Sequence, residues 1–228
     1  MRAFDRRKES EQESQMSTQT NEAIQVRYAA EATTACCLSC GGALDHAKPQ
    51  PGETLVDLGS GRGLDVLKSA RMVGASGRAI GVDMTPAMLE VARSNAAKLK
   101  LDNAEFIQAE IESLPLPDAS VDVVISNCTI NHAPDKAKVY AEIHRVLKPG
   151  GRFVVSDVLA DNELPEHIKN DPEAIAACYG GAITEQQYID AIAAGGFRDL
   201  EILEKSEPYA KGKDQVMVRS LTLRGIRR

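Results

Sequence analysis

A glycine-rich turn between an apolar segment and a helix-like segment places the strongest constraint on how this chain can fold. Residues 55–63 read LVDLGSGRG, with glycines at Gly59, Gly61 and Gly63. Glycine suits a backbone that turns tightly or passes close to another group, because it lacks a Cβ and adopts positive φ readily. The spacing is G-x-G-x-G and not the dinucleotide pattern G-x-G-x-x-G, since residue 64 is leucine. This order predicts the first strand, turn and helix of an α/β sheet.

An aspartate at the end of the next apolar segment gives the turn a candidate ligand. Asp83 closes the stretch GRAIGVD, and Thr85 and Pro86 then begin a helix-like segment. A carboxylate at this place in an α/β sheet can accept hydrogen bonds from both ribose hydroxyls of a nucleoside. The glycines alone also fit a tight turn that binds nothing. The turn and the aspartate together predict a nucleoside site.

Strand-like and helix-like segments alternate along most of the chain. Strands are predicted over 54–58, 78–82, 104–110, 121–127 and 152–159, and helices over 63–73, 85–98 and 136–147. Strands joined by helices pair in parallel through right-handed crossovers. After residue 161 we expect two helices, the second starting near Thr184, and two strands over 200–204 and 216–223. The predicted fold class is α/β: a Rossmann-like, mostly parallel sheet with helices on both faces.

The N-terminal segments differ in composition from the sheet-forming part. Residues 1–20 are polar and mixed in charge without an apolar period, which predicts a disordered arm. Residues 21–34 have helical composition, with Asn21 as the candidate N-cap, and a small-residue loop, ACCLSCGG, follows. We expect one domain over 21–228, with residues 21–50 closing over its site.

The charge of the chain argues against nucleic acid as a partner. The 228 residues carry a formal charge of -6 with a pI of about 5.3, so they create no basic field for phosphates. No segment approaches the roughly 20 apolar residues that span a bilayer. The first ten residues, MRAFDRRKES, lack the apolar stretch of a secretory signal. We expect a cytoplasmic protein that acts on a small molecule without membrane contact, as a monomer or weak dimer.

The cysteines fall at three places in the chain. Cys128 follows an apolar strand in SNCTIN, Cys178 lies in ACYGGAIT, and the N-terminal loop holds Cys36, Cys37 and Cys40. Each cysteine taken singly is compatible with an ordinary core residue. The C-x-x-C at residues 37–40 can indicate zinc, but a structural zinc site takes four ligands, and only one histidine, His46, lies nearby. Thiols that converge from all three places would suit an acceptor that prefers soft ligands.

An ordered series of motifs resembles the class I S-adenosylmethionine methyltransferases. The motifs are DLGSGRG, GVDMT, AEIESLPLPDASVDVVISN and RVLKPGGRFVVSD. The resemblance implies a seven-stranded sheet whose last strand is reversed. It implies a cofactor-binding turn at Asp57, Gly59, Ser60, Gly61 and Gly63. It also implies that Asp83 binds the ribose and that Asn127 lines the pocket floor. Residues Met84, Glu110, Ile111 and Glu112 would surround the adenine, and which of the two glutamates meets the adenine amino group stays open.

A narrower resemblance is to the arsenite S-adenosylmethionine methyltransferases. It is carried by DMTPAM, SNCTIN with the following PDK, ELPEHIK and ACYGGAIT, in that order. It implies that trivalent arsenic binds Cys128, Cys178 and one N-terminal thiol. Cys37 is the preferred third ligand, with Cys36 and Cys40 as alternatives. Tyr28 resembles the tyrosine of the family's preceding helix. His132 stands where an apolar residue is expected, and we interpret it as a polar residue that caps a loop.

The resemblance implies that a methyl group passes from S-adenosylmethionine to thiolate-bound arsenic, in arsenic detoxification. Arsenic(III) attacks with its own lone pair, so no general base is needed. The reaction oxidises arsenic, so an external thiol reductant of the glutathione or thioredoxin type is expected. The motifs also fit methylation of carbon or oxygen in a small metabolite such as a quinone. A third interpretation is a non-catalytic protein that binds metalloids.

Overall fold

The computed structural model describes residues 18–32 and 41–228. The helices are α1 over 18–31, α2 Ala43–Ala47, α3 Leu64–Val73, α4 Pro86–Leu99, α5 Lys136–Val146, α6 Glu166–Lys169, α7 Pro172–Ala176 and α8 Glu185–Ala194. The strands are β1 Thr54–Leu58, β2 Arg78–Asp83, β3 Ala104–Gln108, β4 Val121–Asn127, β5 Leu147–Ala160, β6 Leu200–Lys205, β7 Tyr209–Lys211 and β8 Val216–Ile226. A single turn of 3₁₀ helix, Ile130–His132, follows β4.

The strands form one mixed sheet in the order β3-β2-β1-β4-β5-β8-β6. The neighbours from β3 to β5 pair in parallel, whereas β8 runs antiparallel to β5 and β6. This confirms the predicted α/β class and its reversed last strand. The sheet has eight strands and not seven, because the three-residue β7 pairs with β8 beside the main path. No apolar pattern marks β7 in the sequence.

The strand order places a ligand crevice at the centre of the sheet. β1 lies between β2 and β4, so the helical connections leave β1 and β4 on opposite faces. In open α/β sheets, ligands bind at the carboxyl ends of the strands at such a switch point. The glycine turn follows β1, Asp83 ends β2, and Asn127 ends β4. The residues selected from sequence therefore come to one edge of the sheet.

Alternation along the central strands divides their side chains between two cores. Val56, Leu58 and Val124 pack in the larger core, which includes α5 and α8 residues. Leu55 and Ile125 point the other way, into a core shared with α2. Successive strand residues face opposite sides of a sheet, and here both sides are covered by helices. The continuous apolar runs of β1 and β4 follow from this double burial.

Several boundaries differ from those predicted. Helix α1 already includes residues 18–20, so Asn21 lies within the helix and is not its N-cap. The remainder of the predicted 1–20 arm lies outside the described residues. α2, a five-residue helix, is too short to show an apolar period. β5 begins at Leu147, directly after α5, so the sequence KPGG lies within a strand and not at the end of the helix. Within the described residues no helix combines the length and the apolarity needed to cross a membrane.

A buried chain of polar side chains links α5, α8 and β5. The Tyr188 hydroxyl donates to Asp157 Oδ2 over 2.7 Å, and the Tyr140 hydroxyl donates to that of Tyr188 over 2.9 Å. Burial raises the pKa of Asp157 to about 7, although Tyr188 and the charge of Lys136 oppose the rise. Asp157 Oδ1 is buried with no hydrogen-bond partner among the described residues. The ionised form of Asp157 is therefore poorly compensated.

This burial predicts a pH-dependent gain for Asp157→Asn. A carboxyl whose pKa is raised by folding stabilises the native state below its unfolded pKa, near 4, and loses that contribution as pH rises through about 7. The variant keeps an acceptor for Tyr188 and removes the charge. Its free energy of unfolding relative to wild type should rise by roughly 2–4 kcal/mol between pH 4 and pH 8. Urea denaturation at several pH values measures this, and a difference that does not vary with pH would contradict the assignment.

Candidate functional site

A cavity of about 920 Å³ occupies the crevice at the carboxyl ends of β1, β2 and β4. Helix α1 lies along one side and contributes Asn21, Ile24 and Tyr28 to the wall. The opposite walls come from the glycine turn, the Glu110–Glu112 loop and the segments that carry Cys128 and Cys178. The cavity therefore runs from an end lined by carboxylates to an end lined by thiols.

The Asp83 carboxylate fixes the shape of the glycine turn. Its Oδ2 accepts from the Gly61 amide over 2.8 Å, and its Oδ1 accepts from the Thr85 amide over 2.8 Å. A Cβ placed on Gly61 would have no atom within 4 Å, so the turn presents bare backbone to the cavity there. A carboxylate oxygen accepts more than one hydrogen bond, so each oxygen can still meet a ligand hydroxyl.

Gly59 allows the turn to pack directly on the segment after Cys128. A Cβ on Gly59 would lie 2.0 Å from Thr129 Oγ1. Thr129 Oγ1 in turn donates to the Asn127 carbonyl over 3.2 Å. The turn after β1 and the loop after β4 are thus in close contact through a position that only glycine fits. This contact joins the two ends of the cavity.

Carboxylates dominate the end of the cavity beside the turn. Asp57 is 4% exposed, and burial, with the charges of Asp65 and Asp83, raises its pKa well above the usual range. Burial also raises the pKa of Asp83. The Ser60 hydroxyl is buried without a hydrogen-bond partner among the described residues. A ligand that carries positive charge and hydrogen-bonding groups would relieve these costs.

Helix α1 contacts the region around Glu110 and Met84. Asn21 Nδ2 donates to Glu110 Oε1 over 3.4 Å, and Gln25 Nε2 donates to the Met84 carbonyl over 3.5 Å. Glu112 Oε1 accepts from the Asp135 amide over 3.1 Å. Glu110 and Glu112 both line the cavity, so the choice between them remains open.

Cys128 is held in a left-handed conformation just after β4. Its φ is 55°, and its amide donates to the Ser156 carbonyl over 2.8 Å. The preceding Asn127 donates through Nδ2 to Asp65 over 3.2 Å and accepts at Oδ1 from the Ala43 amide over 3.2 Å. A non-glycine residue at positive φ costs about 1–3 kcal/mol and persists only where the surroundings impose it. The fold therefore imposes the direction of the Cys128 side chain.

Cys178 reaches the same end of the cavity from the turn after α7. Its φ is 65°, also left-handed. Its Sγ lies 3.2 Å from His132 Nε2 and 3.4 Å from the Tyr28 hydroxyl. Burial raises the pKa of the Cys178 thiol, and the Tyr28 hydroxyl and the charge of Lys211 oppose the rise. Cys178 packs against the buried cluster that contains Cys128 and Val158.

Most residues selected from sequence meet in this cavity. It is lined by Tyr28, Asp57, Gly59, Ser60, Gly61, Asp83, Met84, Glu110, Ile111, Glu112, Asn127, Cys128 and Cys178. Gly63 instead occupies the N-cap of α3, where its Cα packs against the Phe106 ring. Cys36, Cys37 and Cys40 lie outside the described residues. His46, the histidine nearest to them in sequence, pairs with Glu204 at 3.0 Å.

The wall also contains residues that were not selected for the site from sequence, among them His132, Lys211 and Asp65. His132 was interpreted as a polar residue that caps a loop; in addition its ring contacts Cys178 and lies edge-to-face with Tyr28 at 5.7 Å. Its place just after SNCTIN, where an apolar residue is expected, was the available signal. Lys211 reaches the cavity from β7, which the sequence does not indicate. Asp65, early in α3, could have been noticed because it lies just after the glycine turn.

Comparison with known proteins agrees with this geometry. Residues 49–207 match the family model described as a methyltransferase domain. The chain belongs to the S-adenosylmethionine-dependent methyltransferase family. This methyltransferase is 45% identical over 170 residues to an arsenite methyltransferase of Halobacterium salinarum. The aligned region covers 75% of this chain and 44% of the relative. It is 41% identical over 157 residues to an arsenite methyltransferase of Aquipseudomonas alcaligenes, with 66% and 45% covered.

A solved structure gives the same relationship. The arsenic(III) S-adenosylmethionine methyltransferase of Chlamydomonas reinhardtii matches with a TM-score of 0.70 and 36% identity, covering 89% of this chain and 72% of that one. The methyltransferase chain spans less than half the length of the two curated relatives, 44% and 45%.

Two alanine substitutions in the turn separate backbone strain from close packing. Gly61→Ala adds a methyl in open space at a φ of 51°, so it should lower the free energy of unfolding by about 1–2 kcal/mol. Gly59→Ala, at a φ of 72°, must also displace Thr129, so it should cost about 2–4 kcal/mol. Urea denaturation compares the variants. Equal losses would show that the contact between Gly59 and Thr129 contributes nothing.

Proposed function

We propose that this chain transfers a methyl group from S-adenosylmethionine to trivalent arsenic bound by cysteine thiolates, and so serves arsenic detoxification. The observation that carries the proposal is the position of Cys128 and Cys178. They come from separate elements and face one cavity, whose other end holds the glycine turn and Asp83. The arsenite methyltransferases among its relatives support the same acceptor.

The residues at the carboxylate end fit S-adenosylmethionine. We assign the ribose to Asp83, whose oxygens are held by two backbone amides. Asp57 and the Ser60 hydroxyl, both buried beside the turn, would face the charged methionine part. Met84, Ile111 and one of Glu110 and Glu112 would surround the adenine. Bound here, the cofactor supplies a methyl group on a positively charged sulfonium, which the nearby carboxylates favour.

The thiol end suits a soft trivalent acceptor. Each cysteine that binds arsenite forms an As–S bond as an As–O bond breaks, and its proton leaves with the hydroxide as water. We assign two ligands to Cys128 and Cys178, and the third to Cys37, with Cys36 and Cys40 as the alternatives. Thiolate is the ligand type preferred by soft metal centres.

Positioning is the main contribution of this chain to the chemical step. Arsenic held by thiolates is pyramidal and keeps a lone pair, so no base has to remove a proton from it. Cys128 and Cys178 would orient that lone pair toward the carboxylate end, where Asn127 and Asp57 lie. Alignment of reacting groups can lower a barrier by on the order of 7–11 kcal/mol.

Methyl transfer oxidises arsenic by two electrons. A further round of methylation then needs an external thiol reductant of the glutathione or thioredoxin type. Reduced cysteines are stable in the cytoplasm, so we propose that compartment as the place of action.

Cysteine substitutions test the acceptor. Cys128→Ser and Cys178→Ser should each lower the rate of methyl transfer to arsenite at least about 100-fold, because serine is a poor ligand for a soft centre. Binding of S-adenosylmethionine should persist. Among the Cys36→Ser, Cys37→Ser and Cys40→Ser variants, we expect Cys37→Ser alone to lose activity. The assay uses labelled S-adenosylmethionine, arsenite and excess thiol.

The outcomes separate the competing interpretations. Full activity in both Cys128→Ser and Cys178→Ser would exclude arsenic ligation by these residues. An inactive wild type that binds S-adenosylmethionine would point to another acceptor, such as the carbon or oxygen of a quinone. A wild type that binds arsenite but not S-adenosylmethionine would be a metalloid-binding protein.

A separate substitution tests the cofactor end. Asp83→Asn replaces one acceptor oxygen with an amide nitrogen that must face the Gly61 or Thr85 amide. We expect the Kd for S-adenosylmethionine to rise about 30-fold, equivalent to about 2 kcal/mol. Isothermal titration calorimetry measures it, with Asp102→Asn, an exposed substitution, as the matched control. An unchanged Kd in Asp83→Asn would remove Asp83 from the ribose site.

A further inference from the structure

The Cys178 sulfur is held from two sides by side chains of other elements. His132 Nε2 approaches it to 3.2 Å from the 3₁₀ turn, and the Tyr28 hydroxyl approaches it to 3.4 Å from α1. The two rings also touch each other edge-to-face, with centroids 5.7 Å apart. The Cys178 sulfur thus contacts two polar groups, His132 Nε2 and the Tyr28 hydroxyl, whose rings also pack against each other.

The chemistry of the three side chains determines how they can pair. A ring nitrogen of histidine that carries no proton can accept from a thiol, and a tyrosine hydroxyl can donate to sulfur. The two contacts therefore allow His132 Nε2 to accept the thiol hydrogen of Cys178 while the Tyr28 hydroxyl donates to the sulfur.

The backbone of the turn after Cys178 packs closely against that of the 3₁₀ turn that carries His132. A Cβ on Gly181 would lie 1.8 Å from the Asn131 carbonyl oxygen, so the turn after Cys178 rests directly on the 3₁₀ turn. Cys178 itself is left-handed, with a φ of 65°. Neither segment can shift much relative to the other, so the contact between His132 and the sulfur is built into the fold.

We propose that His132 is a positioning residue that fixes the Cys178 sulfur for capture of the acceptor. This inference rests on the proposed function for its substrate, arsenite. With its hydrogen directed to His132, the sulfur presents a lone pair to the cavity. The As–S bond then forms as an As–O bond breaks, and the thiol hydrogen leaves with the hydroxide as water. No electron is gained or lost in this exchange. An apolar residue at 132 would fill the space and offer no acceptor.

The test compares His132→Leu with His132→Gln in the full chain. Leucine removes the acceptor, whereas the glutamine amide can return a polar atom near the place of Nε2. His167→Leu, an exposed substitution on α6, is the matched control. Urea denaturation first establishes that each variant is folded. The first readout is the rate at which iodoacetamide alkylates Cys178, followed by mass spectrometry, which requires neither arsenic nor S-adenosylmethionine.

We expect alkylation of Cys178 to slow at least about fivefold in His132→Leu and to recover in His132→Gln. The second readout is methyl transfer. The KM for arsenite should rise about tenfold in His132→Leu with a smaller fall in kcat, and the Kd for S-adenosylmethionine should not change.

Each outcome bears on a different claim. Unchanged alkylation in His132→Leu, or equal defects in the leucine and glutamine variants, would overturn the positioning role. The expected alkylation pattern in a protein that does not methylate arsenite would overturn the proposed substrate and leave His132 as the residue that positions Cys178.

Discussion

The carboxylate of Asp83 is the contact on which the architecture of the site depends. It accepts the Gly61 amide from the turn after β1 and the Thr85 amide from the start of α4. These amides belong to two successive βα connections, so one side chain sets the distance between them. Gly59 in turn packs on Thr129 beyond β4. The Asp83 carboxylate and the absence of a Cβ at Gly59 thus hold together the segments that follow β1, β2 and β4.

The cavity is electrically divided along its length. Asp57, Asp65 and Asp83 gather beside the turn, where burial and the charges of Asp65 and Asp83 raise the pKa of Asp57. At the other end burial raises the pKa of the Cys178 thiol, and the Tyr28 hydroxyl and the charges of Lys211 and Arg27 oppose that rise. Such a division favours a cationic group beside the turn and a soft acceptor beside the thiols. This arrangement suits the proposed transfer of a methyl group from a sulfonium to thiol-bound arsenic.

Local pattern was sufficient for most of the fold. The runs of β1 and β4 are apolar because both sides of the sheet are covered, and Pro86 at the start of α4 marks a helix N-terminus. The order of the motifs along the chain then predicted that the glycine turn, Asp83 and Asn127 lie at the carboxyl ends of the central strands, as they do.

Contacts between segments distant in sequence leave no local pattern from which they could be predicted. The pairing of Cys178 with His132 joins residues 46 apart, and that with Tyr28 joins residues 150 apart. β7 is a three-residue strand that pairs with β8, too short to show a periodic pattern, so Lys211 could not be selected from sequence. For the same reason His132 looked like a loop residue. The thiol end of the cavity was therefore harder to predict than the carboxylate end, because it depends on tertiary packing.

Helix α1 touches both ends of the cavity along a single face. Asn21 meets Glu110, Gln25 meets the Met84 carbonyl, and Tyr28 meets Cys178. Residues at i, i+4 and i+7 share one side of a helix, and this stretch is about 10 Å long. One helical segment therefore supplies side chains to both ends of the cavity. A shift of this face of α1 would change the contacts at Glu110, Met84 and Cys178 together.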